Sequence, residues 1–277
     1  MKTPLNINFP DFDIQAHRGG RGLMPENTIS AMLNALNFEV NTLEMDTHIT
    51  KDGEVVVTHD DTLSPDFILQ QNGDEIPKEK NFVIFKMDYA ELKNFDVGSK
   101  YYAKFPDQQK LETHIPLLAD LIDSVQHQIK VRNLPQVFYN IETKSSEKGN
   151  GIFHPDPETF IHLLMKVILD KKIAPYVIIQ SFDKRTLQVL NKKYPTIRTA
   201  YLISNKKTFE KNLIDLGFKP IIYSPDYKLI TRELVRKCHD QQVKIIPWTV
   251  NTLEEIKKLK DLGVDGVITD YPNLLME

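Results

Sequence analysis

One cysteine and one tryptophan stand among 277 residues. A lone Cys238 cannot close an internal disulfide, so no disulfide framework holds this chain, and the thiol reads as a half-buried structural group in an amphipathic run. No apolar run nears the roughly 18 residues of a membrane span. The first residues, MKTPLNINFPDFDI, carry one lysine and no apolar segment, which is not the pattern of a signal peptide. The expected location is the cytoplasm, or a secreted or periplasmic one if a leader was removed. Positive charge is not in excess: 35 Lys and Arg face 38 Asp and Glu, a net −3. That balance offers no basic field to nucleic acid, and a site for an anionic phosphate then needs local positive charge or a metal.

What is present has a regular rhythm. Asp13–His17 reads as a strand entering the glycine-rich RGGRG. Asn27 or Thr28 then caps a helix whose apolar residues Ile29, Met32, Leu33 and Leu36 recur at helical spacing. Leu43–Thr50 alternates strictly, with Glu44, Asp46, His48 and Thr50 on one face. Lys51-Asp52-Gly53 signals a hairpin and Glu54–Thr58 its return strand. A two-residue Asp52-Gly53 turn pairs Lys51 with Glu54 and sets His59 opposite Asp46; a slip of one residue would turn His59 away.

Residues 61–112 are irregular and polar, with short apolar pieces such as FVIF at 82–85, and read as an insertion above the main fold. Beyond it, strands and helices alternate to the end. Strands that each feed a helix begin near residues 13, 43, 136, 176, 198, 220, 244 and 266, the last without a clear helix after it. Eight such strands in a chain of this length predict an α/β protein of one domain over 1–277, a closed (β/α)8 TIM barrel rather than an open doubly wound sheet.

Barrels place reactive groups at the C-terminal ends of their strands. His17 and Arg18 end the first strand, Glu44 and Asp46 the second, Glu142 and Lys144 the third, and Trp248 lies near the end of the seventh. Two inward carboxylates on one strand repel each other and lose hydration, so something positive must answer them. A structural salt bridge to Arg18 or Lys144 accounts for the pair alone. A third carboxylate, Glu142, on the neighbouring strand makes a hard oxygen site suited to one divalent cation, Mg²⁺ or Ca²⁺, rather than zinc. His17 and His59, flanking this cluster, form an acid/base pair for phosphodiester cleavage, although a single histidine at a strand end is more often structural. Arg18 offers a fork and Lys144 a point charge to phosphate oxygens, or else they neutralise the carboxylates. Trp248 reads as half core and half pocket wall, and Gln180 as a residue of the mouth. The other histidines, His48 included, receive no chemistry.

These residues lie in pieces that resemble one family, the glycerophosphodiester phosphodiesterases: AHRGG at 16–20, PENT at 25–28, LEMD at 43–46, TKDGEVVVTHD at 50–60, IETK at 141–144, QSF at 180–182, PWTVN at 247–251 and GVDGVITDYP at 263–272. The pieces run in the family's order over essentially the whole chain, and together they are specific. The resemblance implies a barrel of the phospholipase-C-like phosphodiesterase type with a small insertion after the hairpin histidine. It implies hydrolysis of small-molecule glycerophosphodiesters to sn-glycerol 3-phosphate and an alcohol, with a divalent metal. Carried over, His17 and His59 look like the acid/base pair, Glu44, Asp46 and Glu142 like the metal ligands, Arg18 and Lys144 like phosphate binders, and Trp248 like a wall of the substrate pocket. The departures are His48, where a glutamine is frequent, and the sequence of 61–112. Two alternatives stand beside this reading. One is cleavage of lysophospholipids, of the lysophospholipase D or phospholipase-C-like type, which an apolar mouth would favour. The other is a non-catalytic phosphate-binding barrel, against which the intact histidine pair argues.

Overall fold

A computed structural model describes residues 9–77 and 79–275; most of the N-terminal stretch judged for a leader lies outside them. Nine strands form one sheet: β1 (Asp13–Ala16), β2 (Thr42–Ile49), β3 (Val55–Val57), β4 (Phe138–Thr143), β5 (Val177–Ser181), β6 (Arg198–Ile203), β7 (Ile222–Pro225), β8 (Lys244–Ile245) and β9 (Gly266–Thr269). Eight run parallel in the order β8-β7-β6-β5-β4-β2-β1-β9, and β3 folds back antiparallel on β2. Asp265 N–H to the Ile245 carbonyl and Ile268 N–H to the Pro247 carbonyl, each 2.9 Å, join β8 to β9 and close the ring into the expected barrel. The predicted strand 244–250 keeps its ladder only to Ile245. Pro247 brings no N–H, so pairing continues through isolated bonds from Ile246 to Tyr223 and from Trp248 to Pro225.

The helices are α1 (Ile29–Ala35), α2 (Tyr89–Leu92), α3 (Leu118–Arg132), α4 (Pro157–Asp170), α5 (Lys184–Lys193), α6 (Phe209–Leu216), α7 (Arg232–Asp240) and α8 (Leu253–Leu262). Thr28 is the cap of α1, its hydroxyl accepting the Ala31 N–H at 3.1 Å. Each helix of the ring turns its apolar stripe onto the barrel. Leu121, Ile122 and Val125 of α3 and Phe160, Leu164 and Ile168 of α4 pack with the outward residues Leu43, Met45, Tyr139 and Ile141 in the main core. None of the described helices is long and apolar enough to cross a membrane.

The hairpin differs from its predicted register by one residue. His48 faces Val56 and Ile49 faces Val55, Thr50 bonds to Glu54, and Thr58 rather than His59 meets Asp46, through its N–H to the Asp46 carbonyl at 3.0 Å. The turn holds three residues instead of two. Gly53 takes φ +84° at its third position, and Asp52 accepts the Thr50 hydroxyl at 2.5 Å. The slip does not expel His59, because β3 ends at Val57 and the chain leaves the strand geometry before reaching it. The His48 imidazole Nε2 then bonds the His59 carbonyl at 3.0 Å and fixes that departure.

The alternation of β3 also divides two cores. Val55 and Val57 enter the main core, while Val56 belongs to a second cluster with Leu63, Ile68, Ile76, Ile84, Leu92, Val97 and Ile115. Residues 61–112 therefore have apolar support of their own. FVIF is part of it: Val83 bridges to Thr62, Ile84 is fully buried, and Phe82 packs against the cluster. Phe82 and Ile84 thus face the insertion's own core, Phe85 packs against the main core, and none of the four lines the mouth of the barrel.

Candidate active site

The barrel interior is divided lengthwise by chemistry. On the β5–β9 side, Ile178, Ala200, Ile222, Ile246 and Ile268 fill it together with Phe138. On the β1–β4 side the inward positions other than Phe138 are polar, and they are satisfied by one another. Asp13 accepts Thr42 and Gln15 at 2.7 Å each. The Asn140 amide donates to Gln15 at 2.7 Å and to Gln180 at 2.9 Å, and Gln180 donates to Glu44 Oε1 at 2.7 Å. This chain of hydrogen bonds climbs from the barrel floor to the site and sets the position of Glu44.

Glu44, Asp46 and Glu142 converge there, with one carboxylate oxygen of each lying within 4.8 Å of the others. They come from paired strands, Asp46 opposite Glu142, and all three are buried. Glu44 Oε2 also accepts the Arg18 backbone N–H at 2.7 Å. Arg18 can aim that N–H inward because its backbone is left-handed, φ 52°, an uncommon state for a residue other than glycine and one held here by its surroundings. Asn27 bonds Asp46 twice, side chain to side chain at 2.9 Å and backbone N–H to amide oxygen at 3.1 Å.

Positive charge is short. The Arg18 guanidinium is divided between Glu26 at 2.7 Å and Asp46 at 3.2 Å, and Lys144 reaches Glu142 at 3.1 Å and Asp46 at 3.8 Å. Burial would raise the Asp46 carboxyl, but Arg18 and Lys144 outweigh it and hold that carboxyl well below the usual range. Burial and then the Asp46 charge push Glu44 well up. Burial pushes Glu142 up to about 7 against the pull of Lys144. Three converging oxygen donors with too few cations among them fit a hard divalent ion.

Each candidate histidine is held by an aspartate. His17 Nδ1 lies 2.5 Å from Asp270 Oδ1, and His59 Nδ1 2.6 Å from Asp60 Oδ1. A carboxylate at Nδ1 keeps the proton on that nitrogen and leaves Nε2 as the reactive atom. His17 Nε2 is 4.0 Å from Glu44. Burial lowers the His17 imidazole to about 4, the opposing pull of Asp270 notwithstanding, so it is neutral at pH 7. Asp270 is itself anchored by Arg21 Nε at 2.7 Å, by the Asn251 amide at 2.7 Å, and through its backbone N–H to Asn251 at 2.9 Å.

Two connected hollows open over these groups. An inner cavity of about 150 Å³ is lined by His17, Arg18, Glu44, Glu142, Lys144 and Trp248 among others. An outer groove of about 490 Å³ shares His59, Glu142, Lys144 and Phe182 with it and runs outward past Asp60 and Asp61. Trp248 is fixed by its indole N–H to the Ser224 carbonyl at 2.9 Å and by an edge-on contact with Phe182, 5.4 Å between ring centres.

All eight residues singled out from the sequence thus meet in one place: seven line the inner cavity, and Asp46 lies just beneath, joined to Arg18. Gln180, read as a mouth residue, lines that cavity and also supports Glu44. Sequence reasoning missed Asp270, Arg21, Glu26, Asn27 and Asp60. Asp270 was within reach, because it follows the end of β9 as His17 follows the end of β1. Glu26 and Asn27 carried no such signal.

A profile of the Glycerophosphoryl diester phosphodiesterase family matches residues 17–274. The glycerophosphodiester phosphodiesterase of Bacillus subtilis (strain 168) is 30% identical, the alignment covering 99% of this chain and 91% of the relative. That of Caldanaerobacter subterraneus subsp. tengcongensis is also 30% identical, over 94% of this chain and 95% of the relative. Among solved structures, a protein of Silicibacter pomeroyi DSS-3 assigned to the glycerophosphoryl diester phosphodiesterases superposes with a TM-score of 0.84 at 28% identity, covering 98% of this chain and 93% of that one. By the extent of the profile match and the identity sustained along its length, this chain belongs to the glycerophosphoryl diester phosphodiesterase family, a family of hydrolases.

Proposed function

We propose that this chain hydrolyses small-molecule glycerophosphodiesters to sn-glycerol 3-phosphate and an alcohol, with one divalent cation, Mg²⁺ or Ca²⁺, held by Glu44, Asp46 and Glu142. The observation that carries the reading is the pair of aspartate-held histidines facing one cavity beside three buried carboxylates. Binding alone would need no such pair. The cation, when bound, supplies positive charge to the phosphate oxygens. Arg18 and Lys144 add theirs from the cavity wall.

The two hollows support a division of the proton roles. His17 lines only the inner cavity, whereas His59 stands where cavity and groove join. The glycerol moiety fits the inner cavity, against Trp248 and Phe182, and the leaving alcohol extends into the groove. His17 Nε2 takes a proton from the attacking water as its oxygen bonds the phosphorus, and Asp270 stabilises the imidazolium that results. His59, entering the step as the imidazolium held by Asp60, gives its Nε2 proton to the alkoxide as the bond from phosphorus to the leaving oxygen breaks. The groove favours deacylated head groups over lysophospholipids, since the insertion contributes only the polar Asp61 and Thr62 to it and no residue of FVIF lines it.

A substrate with a p-nitrophenol leaving group, which needs no acid, tests the assignment. His59→Ala is expected to lose about 10²–10⁴-fold in kcat on glycerophosphocholine and to recover most of it on a p-nitrophenyl phosphodiester. His17→Ala is expected to be slow on both. Equal losses of the two variants on both substrates would refute the division of labour, and wild-type turnover in either would refute its role.

A further inference from the structure

The outer groove is a binding site in its own right, and its chemistry is one-sided. Beyond the four residues it shares with the inner cavity, its charged side chains are Asp60 and Asp61, with no lysine or arginine. Phe153 and Phe182 form aromatic walls, Phe182 being 42% exposed. His48 also lines it; this imidazole is 2% exposed, its Nε2 is used on the His59 carbonyl, and its Nδ1 has no partner. Asp60 and Asp61 stand side by side, and burial, and then the charge of Asp60, raises the Asp61 carboxyl above its ordinary value.

Both walls are built rather than loose. Asp61 and Thr62 are tied to the insertion by the Ile84 N–H to the Asp61 carbonyl and by the Thr62–Val83 bridge. The loop that carries Phe153 is pinned by buried His154, whose Nε2 accepts the Ser146 N–H at 2.9 Å while its Nδ1 donates to the Pro155 carbonyl at 2.8 Å. A site with two carboxylates and two aromatic faces suits a ligand that is positively charged and partly apolar.

We infer that the outer groove holds the leaving alcohol and selects head groups that bear a cationic nitrogen, with Asp61 and Phe153 as the specificity-determining residues. The inference rests on the reaction proposed above, which sends the alcohol outward past His59. It adds that this chain distinguishes among alcohols by charge. Neutral polyols gain only hydrogen bonds from a carboxylate–aromatic wall, whereas a cationic nitrogen gains charge attraction from the carboxylate and a cation–π contact from the ring.

The test is kcat/KM on four substrates with the same glycerophosphate half: glycerophosphocholine and glycerophosphoethanolamine against glycerophosphoglycerol and glycerophosphoinositol. The wild-type protein is expected to favour the first two. Asp61→Asn is expected to lower their kcat/KM by about fivefold relative to the neutral pair, the ordinary worth of one exposed charge or cation–π contact. Phe153→Leu, which changes no charge, is expected to reduce the same ratio. Equal kcat/KM for all four substrates, or a ratio unmoved by both substitutions, would overturn the inference and leave the proposed reaction standing. Failure to hydrolyse any of the four would overturn the reaction itself, and the inference with it.

Discussion

Asp270→Asn probes the site through a residue that does not touch the phosphate. In the native protein Asp270 Oδ1 receives both His17 Nδ1 and Arg21 Nε, and Oδ2 receives the Asn251 amide. Both oxygens are therefore acceptors, and an amide can replace neither without opposing a donor. Placed toward His17, the new amide group donates to Nδ1, drives the proton to Nε2, and removes the base. Placed toward Asn251, it breaks that anchor, which cannot simply flip because Asn251 Oδ1 accepts the backbone N–H of residue 270 at 2.9 Å. General acid–base catalysis contributes about 10²–10⁴ in rate, which at 1.36 kcal/mol per decade is about 3–5 kcal/mol of transition-state stabilisation. The expected result is a kcat reduced by at least about 10²-fold with KM changed far less, because the inner cavity keeps its lining. Steady-state kinetics on glycerophosphocholine, alongside thermal melts to show that the variant is folded, supply the measurement. A folded Asp270→Asn protein with kcat near that of the wild type would refute the claim that Asp270 sets the His17 tautomer.

Three further outcomes follow from other parts of the structure. Glu142→Gln removes one of three converging carboxylates and, with it, Lys144's nearest partner at 3.1 Å; calorimetry should show divalent-cation affinity lowered at least about tenfold, and unchanged affinity would exclude Glu142 as a ligand. Burial raises Asp13 from its ordinary 3.8 to about 6 at the barrel floor. Because its folded value lies above its unfolded one, this group disfavours folding increasingly as pH rises from about 4 to 6 and by a constant amount above that, about 3 kcal/mol. Asp13→Asn should therefore gain stability over the wild type at pH 8 but not at pH 4, less about 1 kcal/mol for the one acceptor it loses toward Thr42 or Gln15; a pH-independent difference in denaturant melts would contradict the burial argument. Gly266 faces the Asp13 carbonyl so closely that a Cβ there would lie 2.2 Å from it, so Gly266→Ala should cost about 1–3 kcal/mol by thermal or urea unfolding, and a neutral substitution would show that β1 and β9 can part.

The elements that could be read from the sequence were those whose signal is local. Strict alternation over Leu43–Thr50 revealed β2 and put Glu44 and Asp46 on one face, and strand ends led to His17, Glu142 and Trp248 without any knowledge of packing. The hairpin register was not legible, because Lys51-Asp52-Gly53 serves a two-residue turn and a three-residue turn equally well, a left-handed Gly53 suits both, and only the pairing of Thr50 with Glu54 in the folded hairpin decides. Asp270 stands at a strand end as His17 does, but its pairing with His17, 253 positions away, is fixed only when β9 closes on β1. The polar chain Asp13–Gln15–Asn140–Gln180 was likewise invisible, since a lone Gln or Asn inside a strand pattern looks like a surface residue until three strands bring such residues together. FVIF pointed to a lipid-binding mouth as readily as to a core, and the packing of Phe82 and Ile84 with Leu63, Ile68 and Leu92 and of Phe85 against the main core decides for the core.

The most direct measurement follows the products of glycerophosphocholine by ³¹P NMR, with Mg²⁺, with Ca²⁺ and with chelator. The account predicts sn-glycerol 3-phosphate and free choline when a divalent ion is supplied, no turnover in chelator, and recovery when the ion is returned. Release of phosphocholine and glycerol would place the cleaved bond on the wrong side of the phosphorus. Undiminished turnover in chelator would remove the cation from the carboxylate cluster of Glu44, Asp46 and Glu142.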